Sequence, residues 1–243
     1  MPFHIHQRGA VASTNDDVKA LANKGAPAFT VVSATEQTEG RGRRGRSWES
    51  PPGNLYVSLL VRPPRPASEA SQLSLVVAVA LGDALAEYVP SSRIHNKWPN
   101  DVQVDGRKIA GLLLESSGGG QGNVDWVVIG CGVNIAVHPN LPEYDTISLD
   151  SITDKKTSIE EFLAFFLEHF EARYDIWING GIDPIRKAWV ERAANIGREI
   201  VVRLPQTEIK GVFEGLDASG ALILTRAGGR RELVTAGEIF AEY

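Results

Sequence analysis

At 243 residues and 43% hydrophobic, the chain is long enough to bury one large core, with room for a second module of about 50 residues. A net charge of -5 excludes global attraction to nucleic acid or to an anionic membrane, and a single cysteine, Cys131, excludes an internal disulfide framework and any zinc site needing two thiolates. The start MPFHIHQRGAVASTND lacks the flank and apolar run of a secretion signal, and no later stretch reaches the roughly 18 apolar residues of a bilayer span, so a cytoplasmic protein is expected.

Residues 3-12 read as a first strand. Ser13, Thr14, Asn15 and Asp16 then offer cap hydroxyls and an early acid before the helical run Val18 to Ala22, which makes Ser13, Thr14 and Asn15 a strand-to-helix corner. Phe29 to Ala34 is a buried strand, Gly40 to Arg46 has no hydrophobic period and reads as a loop, and Asn54 to Val61 returns to strand. After Pro63, Pro64 and Pro66, a core helix of roughly 17 residues is expected from Glu69 or Ser71 to Tyr88. A short strand at 93-97, a turn at 98-101, a hairpin across Asp105 and Gly106, and a strand from Ile109 to Glu115 follow; Ser116 to Gly122 is a loop tip and Trp126 to Ile135 another apolar strand. Amphipathic helices occupy Ile159 to Trp177 and Asp183 to Ala194. From Gly197 the period falls to two, in runs 199-204, 209-216, 221-225 and 232-235 punctuated by glycines, which is the pattern of a small β barrel. The expected division is 1-195, an α+β domain, and 196-243, a small β domain.

The segment Gly40-Arg41-Gly42-Arg43-Arg44-Gly45-Arg46-Ser47-Trp48 puts four arginines in six positions of an acidic chain. Glycines let backbone N-H groups approach an oxyanion, guanidinium forks match phosphate geometry, and a following Trp can stack on a heterocycle. Taken alone, the segment is explained as well by nonspecific phosphate-backbone contact or by a solvated charge run. Two further segments shift the balance. His95 to Val102 places an amine, an amide and a carboxylate at a strand end, and Gly106 to Glu115 places Lys108 at the entrance of a buried strand. Such a lysine is ordinarily a snorkelling edge residue, but this one follows a loop of ligand-binding type. Glu36 and Glu39 read as counter-charges for the arginines.

These segments together resemble the biotin protein ligase family. STN (13-15), EQTEGRGRRGRSW (36-48), GNLYVSLLV (53-61), KWPNDV (97-102), GRKIAGLLLE (106-115) and VVIGCGVNIA (127-136) stand in the family's order, and GREIVVRL with TAGEI resembles its SH3-like C-terminal domain. The resemblance implies a mixed-sheet catalytic domain of the biotin/lipoate ligase type that activates biotin with ATP and Mg2+ and transfers it to a lysine of the biotin carboxyl carrier protein of a carboxylase. It implies that Ser13, Thr14, Asn15, Gln37, Gly40 and Arg41 hold the ureido ring, and that Gly111 and Leu113 line the slot for the thiophene and valeryl chain. Arg41, Arg43, Arg44 and Arg46 would close over the activated phosphate as a lid, and Trp48, Asn100 and Asn134 would hold the adenylate. Lys108 would serve both the biotin carboxylate and the α-phosphate, and Lys108 and Arg43 are the expected catalytic pair.

Other residues carry weaker signals. Asp101 is either a Mg2+-binding or substrate-orienting carboxylate or the cap of a turn. Cys131 invites comparison with thiol acyltransferases but reads as a small buried hydrophobe, and His4 and His6 share a strand face without the further ligands a metal needs. A lipoate or other acyl-carrier ligase is the nearest rival, disfavoured by GRGRRGR and KWPND. A nucleic-acid-binding repressor is the rival from another class, disfavoured because the Ser13 corner comes so early in the chain. The reading is thus of a ligase without nucleic-acid or membrane partners, with homodimerisation left open.

Overall fold

Strand alternation between residues 4 and 133 gives one sheet two apolar faces. The computed structural model describes residues 2-118, 122-142, 144-204, 206-235 and 237-241. β1 (His4-Val11), β2 (Thr30-Gln37), β3 (Leu55-Val61), β4 (Ile94-Lys97), β5 (Asp101-Val104), β6 (Arg107-Gly118) and β7 (Val124-Val133) form a seven-stranded sheet in the spatial order β1-β2-β3-β7-β6-β5-β4. Only β1 and β2 are parallel; every other pair is antiparallel. On β7, Val127, Ile129, Cys131 and Val133 face the large core while Trp126 and Val128 face a smaller one, as period two requires. α1 (Thr14-Asn23) covers the smaller face, packing Val18 and Ala22 on Val32, Leu60, Trp126 and Val128.

The larger face lies under α2 (Leu73-Ala86), α3 (Ile159-Gly180) and α4 (Ile182-Glu191). Twelve of the fourteen α2 residues are buried, so the helix is apolar all round rather than on one stripe. With the short turn before it, Ala67-Ala86 is long and apolar enough to cross a membrane, contrary to the expectation that no stretch would be. It is 72% buried and sits between the sheet, α3 and α4, which makes it the core helix of the domain. α3 starts at Ser158, whose hydroxyl accepts the Glu161 N-H at 3.2 Å, and its Phe162, Phe166, Phe170, Tyr174 and Trp177 fall on one buried stripe.

One charge is buried among these helices. Asp83 of α2 meets Arg173 of α3 at 2.7 Å and Arg192, just after α4, at 2.8 Å. Gly82 makes room for this: a Cβ there would lie 2.8 Å from Arg192 Nη1. Because removing one member strands the others in a low-dielectric site, Asp83→Ala is expected to destabilise the chain by about 3 kcal/mol, read from urea denaturation; a change too small to resolve would show the cluster to be fully solvated.

The second sheet has five strands, one more than the four expected runs. β8 (Glu199-Arg203), β9 (Glu208-Leu216), β10 (Leu222-Thr225), β11 (Arg231-Val234) and β12 (Glu238-Ala241) lie antiparallel in the order β11-β10-β9-β8-β12, an SH3-like unit. Its Ile200, Phe213, Leu222 and Val234 join the same apolar core as the large sheet, and the Trp98 Nε1-H donates to the Gly220 carbonyl at 3.1 Å. Two strands outrun the sequence reading. β2 continues past Ala34 to Gln37 because Val11 of β1 still pairs with it, and β6 continues to Gly118 because it is paired with β7. Of the expected loop tip 116-122, residues 119-121 lie outside the described residues.

Candidate active site

The site lies on the α1 face of the large sheet, where side chains give way to backbone. Trp126 and Val128 fill the space beneath α1, but the next two residues of β7 on that face are Gly130 and Gly132, and Gly132 is paired with Gly111 of β6. The asparagine and tryptophan that lie on this floor need all three glycines. A Cβ on Gly130 would overlap the Asn15 amide, and one on Gly132 or Gly111 would press into the Trp48 indole.

The polar corner is tied together by hydrogen bonds. Ser13 is the N-cap of α1, but its hydroxyl makes no capping bond. The Thr14 N-H and hydroxyl both donate to Gln37 Oε1, at 2.9 and 3.1 Å, which fixes which end of the Gln37 amide faces α1, and Gln37 Nε2 donates to Ser50 Oγ at 3.0 Å. Ser58 Oγ, fully buried on β3, lies 2.6 Å from Asn15 Oδ1 and 2.7 Å from Thr14 Oγ1. Asn15 Nδ2 donates to Glu115 at 2.8 Å. The corner is therefore held rigid before any ligand arrives.

A bulge aims Lys108. The β5-β6 register shifts between Val102 and Gln103, so that Val102 pairs with Ala110 and Gln103 with Lys108, leaving Ile109 extra. Ile109 and Ala110 are both buried in the core, and Lys108 is thereby turned to the same face as Gly111. Its ammonium forms an ion pair with Asp101 Oδ1 at 2.9 Å and lies 5.3 Å from the Trp48 ring centroid. Burial, the largest single influence, disfavours the charge, but Asp101, Tyr144 and Glu238 together outweigh it and hold the Lys108 amine above its usual range. Lys97, on the same wall, goes the other way: burial lowers it, with Lys108 and Arg46 adding repulsion.

The arginine segment is a small hairpin rather than an open loop. Arg41 bridges to Ser47, the Gly42 N-H donates to Arg46 O at 2.7 Å and the Trp48 N-H to Gly40 O at 2.9 Å. The tip turns through Arg44 at φ 58° and Gly45 at φ 73°, left-handed conformations that glycine adopts readily. Arg41 pairs with Asp16 at 2.7 Å, and Arg46 pairs with Glu238 of β12 through two bonds of 2.7 and 2.6 Å, so the directly paired counter-ions come from α1 and the small sheet, while Glu39 adds a longer-range attraction on Arg41. Arg43 Nη1 donates to Asn100 Oδ1 at 3.3 Å. These two residues also line a second cavity towards Ser74, Leu75 and Gly220.

One cleft thus gathers Ser13, Thr14, Asn15, Gln37, Arg41, Arg43, Arg44, Arg46, Trp48, Asn100, Asp101, Lys108, Gly111 and Leu113. Two expected residues stand outside it. Asn134 is buried past the end of β7 and donates to Ile147 O at 3.1 Å, so it braces the following segment. Gly40 is buried where the hairpin closes, since a Cβ would overlap the Trp48 carbonyl. Cys131 borders the cleft, but burial pushes its thiol far up, which leaves no thiolate nucleophile. Lys97, Tyr144, Gly130, Gly132 and Glu238, to which the sequence reading gave no site role, also line it. Lys97 sits in the KWPND segment, the two glycines fall at period two and Glu238 lies in TAGEI, so all four were findable; Tyr144 carries no local signal.

Residues 10-134 match the model of the Biotin/lipoate A/B protein ligase family, and residues 196-241 that of the Biotin protein ligase C terminal domain. The chain is 43% identical to a biotin-[acetyl-CoA-carboxylase] ligase of Paracoccus denitrificans, over 94% of this chain and 96% of the relative. It is 33% identical to a bifunctional ligase/repressor of Bacillus subtilis, over 97% of this chain and 74% of that one. Among solved structures, the biotin protein ligase from Aquifex aeolicus in complex with biotin and ATP superposes with a TM-score of 0.82 at 27% identity, covering 98% of this chain and 97% of the other.

Proposed function

The chain belongs to the biotin/lipoate A/B protein ligase family, and we propose that it makes biotinyl-5'-AMP from biotin and ATP and passes the biotin to a lysine of a biotin carboxyl carrier protein. The observation that carries this reading is the position of Lys108 in one cleft with both a rigid polar corner and a four-arginine hairpin. An uncharged ring that both donates and accepts suits the corner; a polyphosphate suits the hairpin; the ammonium between them suits the carboxylate that must meet it.

In this reading Ser13, Thr14, Asn15, Gln37 and the backbone of Arg41 hold the ureido ring, and the thiophene and valeryl chain take the slot lined by Gly111 and Leu113, beside the Trp48 indole that rests on Gly111. A carboxylate oxygen attacks the α-phosphorus and pyrophosphate leaves, with Lys108 and the arginines opposing the charge that gathers on the phosphoryl oxygens. The acceptor's neutral amine then attacks the acyl carbon of the mixed anhydride and AMP departs. Trp48 contacts adenine, and Arg43 with Asn100 closes the adenylate off from the second cavity. Residues 1-195 carry the chemistry, and 196-243 supply Glu238 to the hairpin; the setting is the cytoplasm. Mg2+ is expected with ATP, yet the residues do not fit a protein-held metal site: Asp101 Oδ1 faces Lys108, and the described residues contain no cluster of three metal-binding side chains. A cation arriving with the nucleotide would take its ligands from the phosphates and water.

Incubation with labelled biotin, ATP and Mg2+, followed by a carrier domain, is expected to yield biotinyl-AMP and then labelled carrier; lipoyl-AMP formed from lipoic acid with no biotinyl-AMP would overturn the choice of acyl group. Gly130→Ala is expected to weaken biotin binding by at least about tenfold, because a displaced Asn15 leaves buried partners unmet at roughly 1-3 kcal/mol. Calorimetric titration with biotin measures it, and unchanged affinity would remove Asn15 from the ring site.

A further inference from the structure

Tyr144 belongs to none of the segments that suggested the chemistry, yet its ring lies beside the residue at the centre of it. Lys108 Nζ is 5.1 Å from the Tyr144 ring centroid, and Lys97 Nζ is 5.9 Å from the same ring. The neighbouring backbone fixes this placement. The Lys108 N-H donates to Asp145 O at 2.9 Å, the Ile147 N-H donates to Lys108 O at 3.0 Å, and Thr146 forms a parallel bridge with Lys108. The chain on either side of the Lys108 peptide is thus clamped to the residues that immediately follow Tyr144.

We infer that Tyr144 is a positioning residue for Lys108: its ring is the sheet-anchored wall that keeps the ammonium aimed along the cleft. The inference rests on the ligase reading above. An aromatic face attracts a cation without presenting an oxygen that would compete for its N-H donors. Asp101, by contrast, draws the same ammonium with a full charge. Without the ring, the pull of Asp101, already 2.9 Å from the ammonium, is opposed from the Trp48 side alone, and Lys108 turns away from the incoming carboxylate and α-phosphate. Trp48 forms the other aromatic wall, but it belongs to the arginine hairpin. Tyr144 belongs to the segment bridged to β6, so it holds its place independently of the hairpin.

The test is single-turnover biotinyl-AMP formation by Tyr144→Leu and Tyr144→Phe, each also placed in a Lys108→Ala background. Tyr144→Leu is expected to slow adenylation about tenfold at saturating substrates, the range for a desolvated cation-π contact, with KM for biotin little changed. Tyr144→Phe keeps the ring and should retain the rate. In the Lys108→Ala background, Tyr144→Leu should add nothing. Tyr144→Met, which keeps bulk without a ring, replaces the Leu variant if that one melts early. The inference is overturned if Leu and Met run at the unsubstituted rate, if Phe is as slow as Leu, or if the loss persists without Lys108. An unsubstituted chain that forms no biotinyl-AMP overturns the ligase reading and this one together, whereas normal adenylation in every Tyr144 variant defeats this inference alone.

Discussion

Lys108→Ala is expected to slow biotinyl-AMP formation by about a hundredfold to a thousandfold, the loss found when one preorganised charge-stabilising donor is removed. Two effects add. The variant loses a largely buried ammonium whose protonation Asp101 enforces, and it leaves that carboxylate without its partner in a cleft that must admit two anions. Lys108→Ala with Asp101→Asn should therefore recover part of the rate lost by the single change. Rapid-quench measurement of the adenylate, with a melting curve to show that the fold persists, decides it. A rate within about threefold of the unsubstituted enzyme, well short of the loss expected for such a donor, would remove Lys108 from the mechanism.

Arg43→Gly is expected to fail differently, by letting the adenylate go. Arg43 stands between the cleft and the second cavity, held to Asn100 at 3.3 Å. Burial, with Arg44 and Arg46 adding repulsion, pulls its pKa down, but a guanidinium stays charged at any working pH. Removing it opens a passage and deletes a phosphate partner in one step, so release of preformed biotinyl-AMP should accelerate at least about tenfold, an effect of 1.4 kcal/mol or more that a lost charged hydrogen bond can supply. Pulse-chase with unlabelled biotin reads the release rate. Equal release by the two proteins would reduce the hairpin from a lid to a fixed anion site.

How much of this was legible in the sequence depended on how local each cause was. α2 could be read because its apolar run is continuous, and α3 because Phe162, Phe166 and Phe170 repeat at four. Lys108 was rightly put at a strand entrance, but its direction depends on a bulge at Ile109, and a bulge adds one residue without marking which one. Asn134 follows the glycines of β7 directly, yet the chain turns there and its Nδ2 donates to Ile147 O, a placement that adjacency alone does not reveal. Glu238 lies in the TAGEI segment, but its pairing with Arg46 was not legible because β12 is a four-residue strand whose partner, β8, lies about forty residues earlier. Tyr144 sits in a proline-bearing stretch without period, and only the bridge to Lys108 gives it a place.

The floor of Gly111, Gly130 and Gly132 has a consequence for affinity as well as for shape. Gly130 seats the Asn15 amide, and Gly111 with Gly132 seats the Trp48 indole, directly on the peptide planes, so two side chains are already ordered when a ligand arrives and binding is spared the entropy of freezing them, roughly 0.5-1.5 kcal/mol for each side chain immobilised. The peptide planes beneath them are committed to the β6-β7 ladder, so neither side chain can sink to admit a broader acyl group. The depth of the site on this side is set at the stiffness of the sheet.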